Sequence, residues 1–379
     1  MKILMILSTP YMVDPRVSKE ATSLVEAGHE VQVIEWDRKK DYPTENVAEN
    51  VNLFRIHNKG LMNILPHDLL RNPFWWYKAY KKGKELYRSG FHFDTVHCHN
   101  LDTLLTGVLL KKKYGIKLIY DAHEIFGYMI AREMPSFIVW IAFQLEKQLL
   151  RFVDHIITVN EPLLEYFKSI STKPITIIMN CKELVSTEYI PPKTQEFTLI
   201  YIGVLHTSRM FPELIDIIGT INNVILIIAG KKENLFEEVQ QRSKKYQNIK
   251  FLGPIPYTEV IPKTLAAHAV ICIISPQDPN NKIGLANKQF EAMVCGRPII
   301  CTKDTYAGHL IEKLSCGLLV DYTKESIREA IVTLRDNPKL CEQLGKNAFT
   351  AAQTQYNWGK EKEKLIAIYT GLLYDDTKT

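Results

Sequence analysis

Four stretches of the chain carry side chains whose types and spacing can do chemistry. Val96-His97-Cys98-His99-Asn100 and Tyr120-Asp121-Ala122-His123-Glu124 each close an apolar run, so their polar groups fall where a strand gives way to a loop. Imidazoles and carboxylates there can exchange protons and hold hydroxyl groups. Farther on, Gly203 follows Tyr201-Ile202 at a strand end, and Arg209 stands just before a helical run. Backbone amides, helix dipole and guanidinium can together hold a diphosphate. The fourth stretch, Gly284 to Ile300, reads as loop, helix, a stop at Gly296 and strand. Its helix start carries Ala286, Asn287 and Lys288, which offer amide donors and positive charge to phosphate oxygens. Glu291, one turn in, can accept hydrogen bonds from ribose hydroxyls.

Two histidines and a cysteine also raise the question of zinc. No second Cys or His pair follows at finger spacing, and strand-end alternation is read as turning the side chains to opposite faces. The expectation is no metal, with His97 buried in the sheet and His99 at the crevice. The first loop, Ser8 to Arg16, contains no glycine and so is not the G-x-G-x-x-G fingerprint that brings backbone close to a pyrophosphate. No cofactor is expected. Glu35 ends the second strand where a ribose-binding acid would sit in a dehydrogenase, but is read as a surface carboxylate.

These residues need a scaffold, and the hydrophobic pattern supplies it. A strand at about 2–8, a helix at about 15–27 and a strand at about 30–36 form a βαβ unit. Asp14 reads as its N-cap, Pro15 as the first helical residue and Gly28 as the left-handed stop. Strands near 94–98, 116–120, 155–159 and 175–179 alternate with helices at about 101–113, 136–152 and 161–169. After the polar stretch Ser186 to Gln195, strands near 197–203, 224–230, 249–252, 270–274 and 298–301 repeat the pattern. Continuous apolar strands alternating with helices predict two doubly wound α/β domains, each Rossmann-like. Ligands of such sheets bind beyond the carboxyl ends of the strands, where all four motifs fall.

A chain of 379 residues is long enough for two cores, and 46% hydrophobic with 23% charged residues is ordinary globular composition. The charge of +5, from 47 basic and 42 acidic side chains, does not call for nucleic acid and suits a phosphate-bearing substrate. Seven cysteines without a C-x-x-C pair read as reduced core thiols of a cytoplasmic protein. Lys2 to Leu7 reads as a first strand rather than a leader, and no uncharged apolar stretch approaches the ~20 residues of a membrane span. The aromatic and basic segment within 60–92, with Leu61, Met62, Phe74 to Lys78, Lys81, Lys82 and Lys84, either lies on a bilayer or buries its rings beneath solvated lysines.

With these motifs in order, the sequence resembles the retaining family-4 glycosyltransferases of the GT-B fold over nearly its whole length. The resemblance rests on Asp14-Pro15-Arg16-Val17 through Glu20-Ala21 to Gly28-His29-Glu30-Val31, the two histidine motifs, and the Gly203 to Arg209 loop. It rests also on Asn287 to Met293 with Gly296-Arg297-Pro298 and Gly317-Leu318-Leu319-Val320. It implies two facing domains with an interdomain cleft, residues 1–187 plus 357–379 on the acceptor side and 188–356 binding a nucleotide-sugar donor. A helix begun at Tyr356-Asn357-Trp358 would cross back to the first domain. By position His99 matches the histidine near the transferred sugar, Arg209 the phosphate-binding lysine and Glu291 the ribose carboxylate. Asp14, Arg16, His123 and Glu124 become acceptor-side candidates.

The implied reaction is metal-free transfer from a nucleotide-diphosphate sugar, with retention, to a glycan, lipid-linked or small-molecule acceptor in envelope or exopolysaccharide synthesis. Contact with a membrane, if made, would be peripheral and through residues 60–92. Three departures stand out. The glycine pair of the first loop is replaced around Val13 and Asp14, the first glutamate of the E-x7-E motif falls at Ile283, and an arginine after the loop glycine falls at Val204. Lys288, or Lys282 nearby, is expected to supply the missing charge, leaving Arg209 and Lys288 with His99 as the catalytic set. Ile283 and Val204 also admit a non-catalytic nucleotide-sugar-binding partner subunit, and the fold admits a sugar-nucleotide epimerase.

Overall fold

A computed structural model describes residues 1–57, 60, 64–65, 68–131, 133–233 and 235–376. The chain divides into two units, Met1–Met179 with Lys362–Thr379, and Asn180–Glu361.

The first unit is built on eight strands: β1 (Lys2–Leu7), β2 (Glu30–Asp37), β3 (Glu45–Ala48), β4 (Val51–His57), β5 (Thr95–His99), β6 (Lys117–Ala122), β7 (His155–Thr158) and β8 (Ile175–Ile177). Their order is β3-β4-β2-β1-β5-β6-β7-β8, all parallel except the β3 edge. Ile3, Leu4, Met5 and Ile6 of β1 are wholly buried, so helices cover both faces of the sheet and no polar alternation is left to read. β3 and β4 were not expected from the sequence, because Val51-Asn52-Leu53-Phe54-Arg55 mixes polar and apolar residues and ends near a sheet edge.

Local chemistry sets the first helix. The Asp14 carboxylate accepts the N–H groups of Arg16 and Val17 at 3.2 and 3.3 Å, Pro15 opens the helix Pro15–Glu26, and Gly28 follows with φ +84°. Glu35 is not at the surface. It is fully buried, where it accepts the Tyr11 N–H and pairs with Arg55, pinning the glycine-free first loop against the sheet. At Gly107 a Cβ would lie 2.4 Å from Cys98 Sγ and 2.6 Å from Leu118 Cδ1, so glycine lets the helix Leu101–Tyr114 settle onto β5 and β6.

Leu61 and Met62, part of the aromatic and basic segment, lie outside the described residues. Within the helix Asp68–Arg88, Trp75 is buried and stacked on Trp36 at 5.3 Å, and Trp76 donates its indole N–H to Asp102 O at 2.6 Å. Phe74, Tyr77, Lys78 and Lys81 stay exposed on one face. Among the described residues no helix is long and apolar enough to cross a membrane.

The second unit carries β9 (Phe197–Ile202), β10 (Val224–Ala229), β11 (Ile249–Gly253), β12 (Ala269–Cys272), β13 (Ile299–Thr302) and β14 (Gly317–Val320), ordered β11-β10-β9-β12-β13-β14 and parallel throughout. Its core joins Leu199, Tyr201, Leu226, Ile228, Ile271 and Ile300 to Leu214, Ile218, Ile331 and Leu334 from the covering helices and to Phe211 from the turn before them. Residues 180–187 go with this unit, held by Lys182 and Asn180 as described below. The final helix, Trp358–Asp376, starts in the second unit and passes into the first from Lys362. Its buried Leu365, Ile368, Tyr369 and Leu372 recur at helical spacing.

Candidate functional site

In each sheet the strand order reverses once, between β1 and β5 and between β9 and β12. Chain leaving the two central strands there turns in opposite directions and opens a crevice at their carboxyl ends. The sequence motifs lie at those points.

In the first unit Asn100, at φ +63°, turns the chain from β5 into the following helix. Its N–H donates to Asp121 O at 2.9 Å and its side-chain oxygen accepts the His123 N–H at 3.2 Å, joining the two histidine loops. Arg16 forks onto Asp121 through Nε and Nη2 at 3.0 and 2.9 Å, donates from Nη1 to Ile178 O at 2.8 Å and lies 3.0 Å from Glu20 Oε1. All three charged side chains are buried.

One guanidinium cannot neutralise two buried carboxylates, and the structure divides them. Burial opposes the charge on Asp121, but Arg16 and His123 overcome it and hold its carboxyl well below the usual range. Burial, aided by neighbouring Asp121 and against the pull of Arg16, lifts Glu20 to about 8. Glu20 is therefore mostly a neutral acid at pH 7 despite its short distance to Arg16.

His99 Nδ1 lies 3.4 Å from both Asp121 Oδ2 and His123 Nε2, and its buried Nε2 has no partner. Burial lowers the His99 pKa, so this imidazole is neutral at pH 7. His123 Nε2 lies 3.1 Å from Asp121 Oδ2; burial works against its charge, but the carboxylate raises its pKa overall. The expectation that His97 and His99 face opposite ways is wrong: their rings stack at 4.3 Å. Residues two apart on a strand share a face, and only immediate neighbours alternate. His97 is nonetheless buried, with Nδ1 2.8 Å from Tyr369 Oη of the final helix.

Glu20, His97, His99 and Asp121 place ligand-type atoms within 4.8 Å of one another. The Arg16 guanidinium already sits on both carboxylates, so the cluster contains its own cation and repels a second. Of the acceptor-side candidates, Arg16 holds Asp121, Asp14 caps a helix, His123 lies against Asp121, and Glu124 is half-buried.

In the second unit Gly203 follows β9 directly, with φ +151°. A Cβ there would lie 3.3 Å from Lys288 Nζ, so glycine makes room for the lysine. Lys288 lies over the Tyr201 ring, 3.4 Å from its centroid. Burial, reinforced by nearby Arg209, lowers its pKa to about 7 against the opposing pull of Cys272 and Glu291. Arg209 closes the turn Thr207–Arg209, half-buried, and its guanidinium has no carboxylate or hydrogen-bond partner among the described residues. The Ala286 N–H is taken by Gln289 Oε1 at 2.9 Å. Asn287 accepts from Asn180 Nδ2 at 2.6 Å. Glu291 is buried and pairs with Lys182 at 3.4 Å. Lys282 is exposed, Val204 is 49% exposed, and Ile283 ends the short helix Pro279–Ile283.

The arrangement offers an amide-bearing helix start, two cations and an acid one turn in, which is the equipment for a nucleoside diphosphate. Sequence reasoning missed Lys182, Tyr201 and the orienting part of Asn100. A lysine directly after the mostly apolar strand-to-loop stretch Ile177-Ile178-Met179-Asn180-Cys181 was the available signal for Lys182.

The two Rossmann-like units have the fold of GT-B glycosyltransferases. A sucrose-phosphate synthase of Thermosynechococcus elongatus superposes with a TM-score of 0.78 at 16% identity, over 99% of this chain and 100% of that one. HepE of Anabaena, in complex with UDP and glucose, gives 0.73 at 15% identity over 98% and 100%. In sequence, Glycosyltransferase Family 4 matches residues 17–181, and Glycosyl transferases group 1 matches residues 188–351. The chain belongs to the family-4-type glycosyltransferases. An uncharacterised glycosyltransferase of Methanocaldococcus jannaschii is 26% identical over 153 residues, 40% of this chain and 38% of that protein.

Proposed function

We propose that the protein transfers a sugar from a nucleotide-diphosphate sugar to an acceptor hydroxyl, with retention and without metal. The observation that carries this is the pair of basic side chains at the β9/β12 reversal: Arg209, with no neutralising anion among the described residues, and Lys288, held against Tyr201 beside Gly203. The bond to be broken releases a diphosphate, and charge developing on it needs donors already aimed at it. Arg209, Lys288 and the N–H groups at Asn287 and Lys288 supply them, while Glu291 accepts from the ribose. In the first unit His99, neutral at pH 7 with a free Nε2, can bond a hydroxyl of the transferred sugar. Retention follows if the leaving phosphate itself takes the acceptor proton, which needs no side-chain base.

HepE structures with UDP and with UDP-glucose make uridine the first base to try. The acceptor is read as a glycan, a lipid-linked sugar or a small molecule, in envelope or exopolysaccharide synthesis, reached from the cytoplasmic side of a membrane where it is lipid-linked. Support for peripheral contact is the exposed face of Phe74, Tyr77, Lys78 and Lys81, two rings and two ammonium groups one turn apart. Ile283 and Val204, apolar where a glutamate and an arginine are expected, favour one other reading, a partner subunit that binds the donor without turning it over.

A thermal-shift screen of nucleotide sugars and free diphosphates, without added metal, tests the proposal. Ligand at 100 times Kd stabilises by about 2.7 kcal/mol, a rise of several degrees. Arg209→Glu should abolish the shift. Binding with slow hydrolysis of one sugar nucleotide supports transfer, binding without turnover across acceptors supports the partner subunit, and no shift with any nucleotide overturns both.

A further inference from the structure

Lys182 is 4% exposed, an unusual place for a lysine, and neither the motifs nor the fold requires one there. Its Nζ donates to Tyr257 Oη at 2.9 Å and lies 3.4 Å from Glu291 Oε1 and 5.3 Å from the centre of the Tyr257 ring. The backbone beneath it is tied down. Lys182 pairs with Asn357 as an isolated bridge, and its carbonyl accepts the Trp358 N–H at 2.9 Å. Two residues earlier, Asn180 donates to Asn287 in the first turn of the helix Asn287–Val294. The segment that opens the second unit is thus laced both to the start of the final helix and to the helix that bears Glu291.

Glu291 is a buried carboxylate with one oxygen against Lys182 and no second protein partner among the described residues. Without its cation it would be an uncompensated charge in a site with little water, and the group would turn away to find some. With the lysine, whose stem is fixed by Tyr257 and by the backbone bridge, one oxygen is anchored and the other is left for a ligand. A carboxylate so held accepts hydrogen bonds from a vicinal diol in one orientation.

We infer that Lys182 is a positioning residue for Glu291, holding the carboxylate where it accepts the ribose hydroxyls of the donor. This rests on the reading of Glu291 as the ribose acceptor. It makes Lys182, with Tyr257 behind it, a determinant of selectivity for ribose over sugars lacking the diol.

The test measures affinities of uridine, guanosine and adenosine diphosphates and their 2′,3′-dideoxy counterparts by calorimetry, on the full chain. The wild type should prefer the ribonucleotide it binds by about tenfold or more, as expected for hydrogen bonds to a charged acceptor. Lys182→Met should erase that preference by weakening the ribonucleotide alone, leaving the dideoxy affinity within about twofold. Lys182→Arg should restore most of it. A parallel loss for both ligands would assign Lys182 a merely structural role and overturn the inference, as would undiminished preference in Lys182→Met. If Lys182→Met does not fold, Tyr257→Phe removes the lysine's anchor, and the preference should then shrink; an unchanged preference overturns the inference. If no diphosphate binds the wild type, the donor reading itself fails and takes the inference with it.

Discussion

Lys288 should make donor binding depend on pH in a range where most lysines are silent. With a pKa of about 7 the ammonium is half-formed at neutral pH, and a diphosphate binds the charged form. The sign follows: binding takes up a proton, so affinity falls as pH rises through that value. If the bound diphosphate returns the lysine towards its ordinary ~10.4, affinity falls by about fifteenfold between about pH 7 and 8.5, roughly 1.6 kcal/mol. Terminal phosphate ionises near ~6 and adds nothing in that interval. Of the groups around Lys288, Tyr201 keeps its proton there because burial lifts its pKa further. Cys272 is the exception, a thiol lowered by its hydrogen bond to Cys301 and by Lys288. Calorimetry of the diphosphate across this pH range, in two buffers of different ionisation enthalpy, reads both affinity and protons taken up. Lys288→Met should bind more than about tenfold less tightly at pH 7. It should show no slope and stay weaker than the wild type throughout this range, because the lysine in the complex keeps its proton to well above about pH 8.5. Cys272→Ser should keep the slope. A flat wild-type profile, or a slope that survives in Lys288→Met, would refute the reasoning.

Glu20, raised to about 8, holds a proton in the folded state that the unfolded chain releases near 4.5. Stability therefore falls as pH rises between those values, by about 1.4 kcal/mol per unit where the difference is a full proton. Glu20→Gln should unfold at a higher temperature than the wild type at pH 8 and show less advantage at pH 5; equal differences at both would argue that Glu20 is ionised. His99→Ala should lower kcat by about 10²-fold, the effect of losing one preorganised polar contact, and leave diphosphate affinity in calorimetry unchanged. Co-sedimentation with vesicles should require anionic lipid and salt below about 0.1 M, and Phe74→Ser with Tyr77→Ser should abolish it. Binding that ignores both substitutions would remove that face from the membrane reading.

Much of the scaffold was legible because strands buried on both faces spell themselves as apolar runs. Val96 to His99 and Ile271 to Ile273 needed no partner to be recognised, and Asp14, Pro15 and Gly28 announced a helix by capping chemistry that is local in the chain. Candidate site positions were singled out for a related reason: His99 stands out as a polar residue ending such a run, Gly203 as a glycine just after one, and Lys288 and Glu291 at the start of a helix that follows a loop. β3 was lost because an edge strand is only half covered, and β4, its neighbour, because Val51-Asn52-Leu53-Phe54-Arg55 mixes polar and apolar residues.

What the sequence by itself determined, then, is the succession of elements and the residues delivered to the carboxyl ends of the strands, since both follow from periodicity and capping within a few residues. What only the tertiary structure decided is which of those residues are charged, buried or paired. Arg16 meets Asp121, Glu35 meets Arg55, His97 meets Tyr369 and Lys182 meets Glu291 across gaps of 20 to 272 residues. Charge depends on neighbours and on the water they displace, and no short-range pattern records who those neighbours will be.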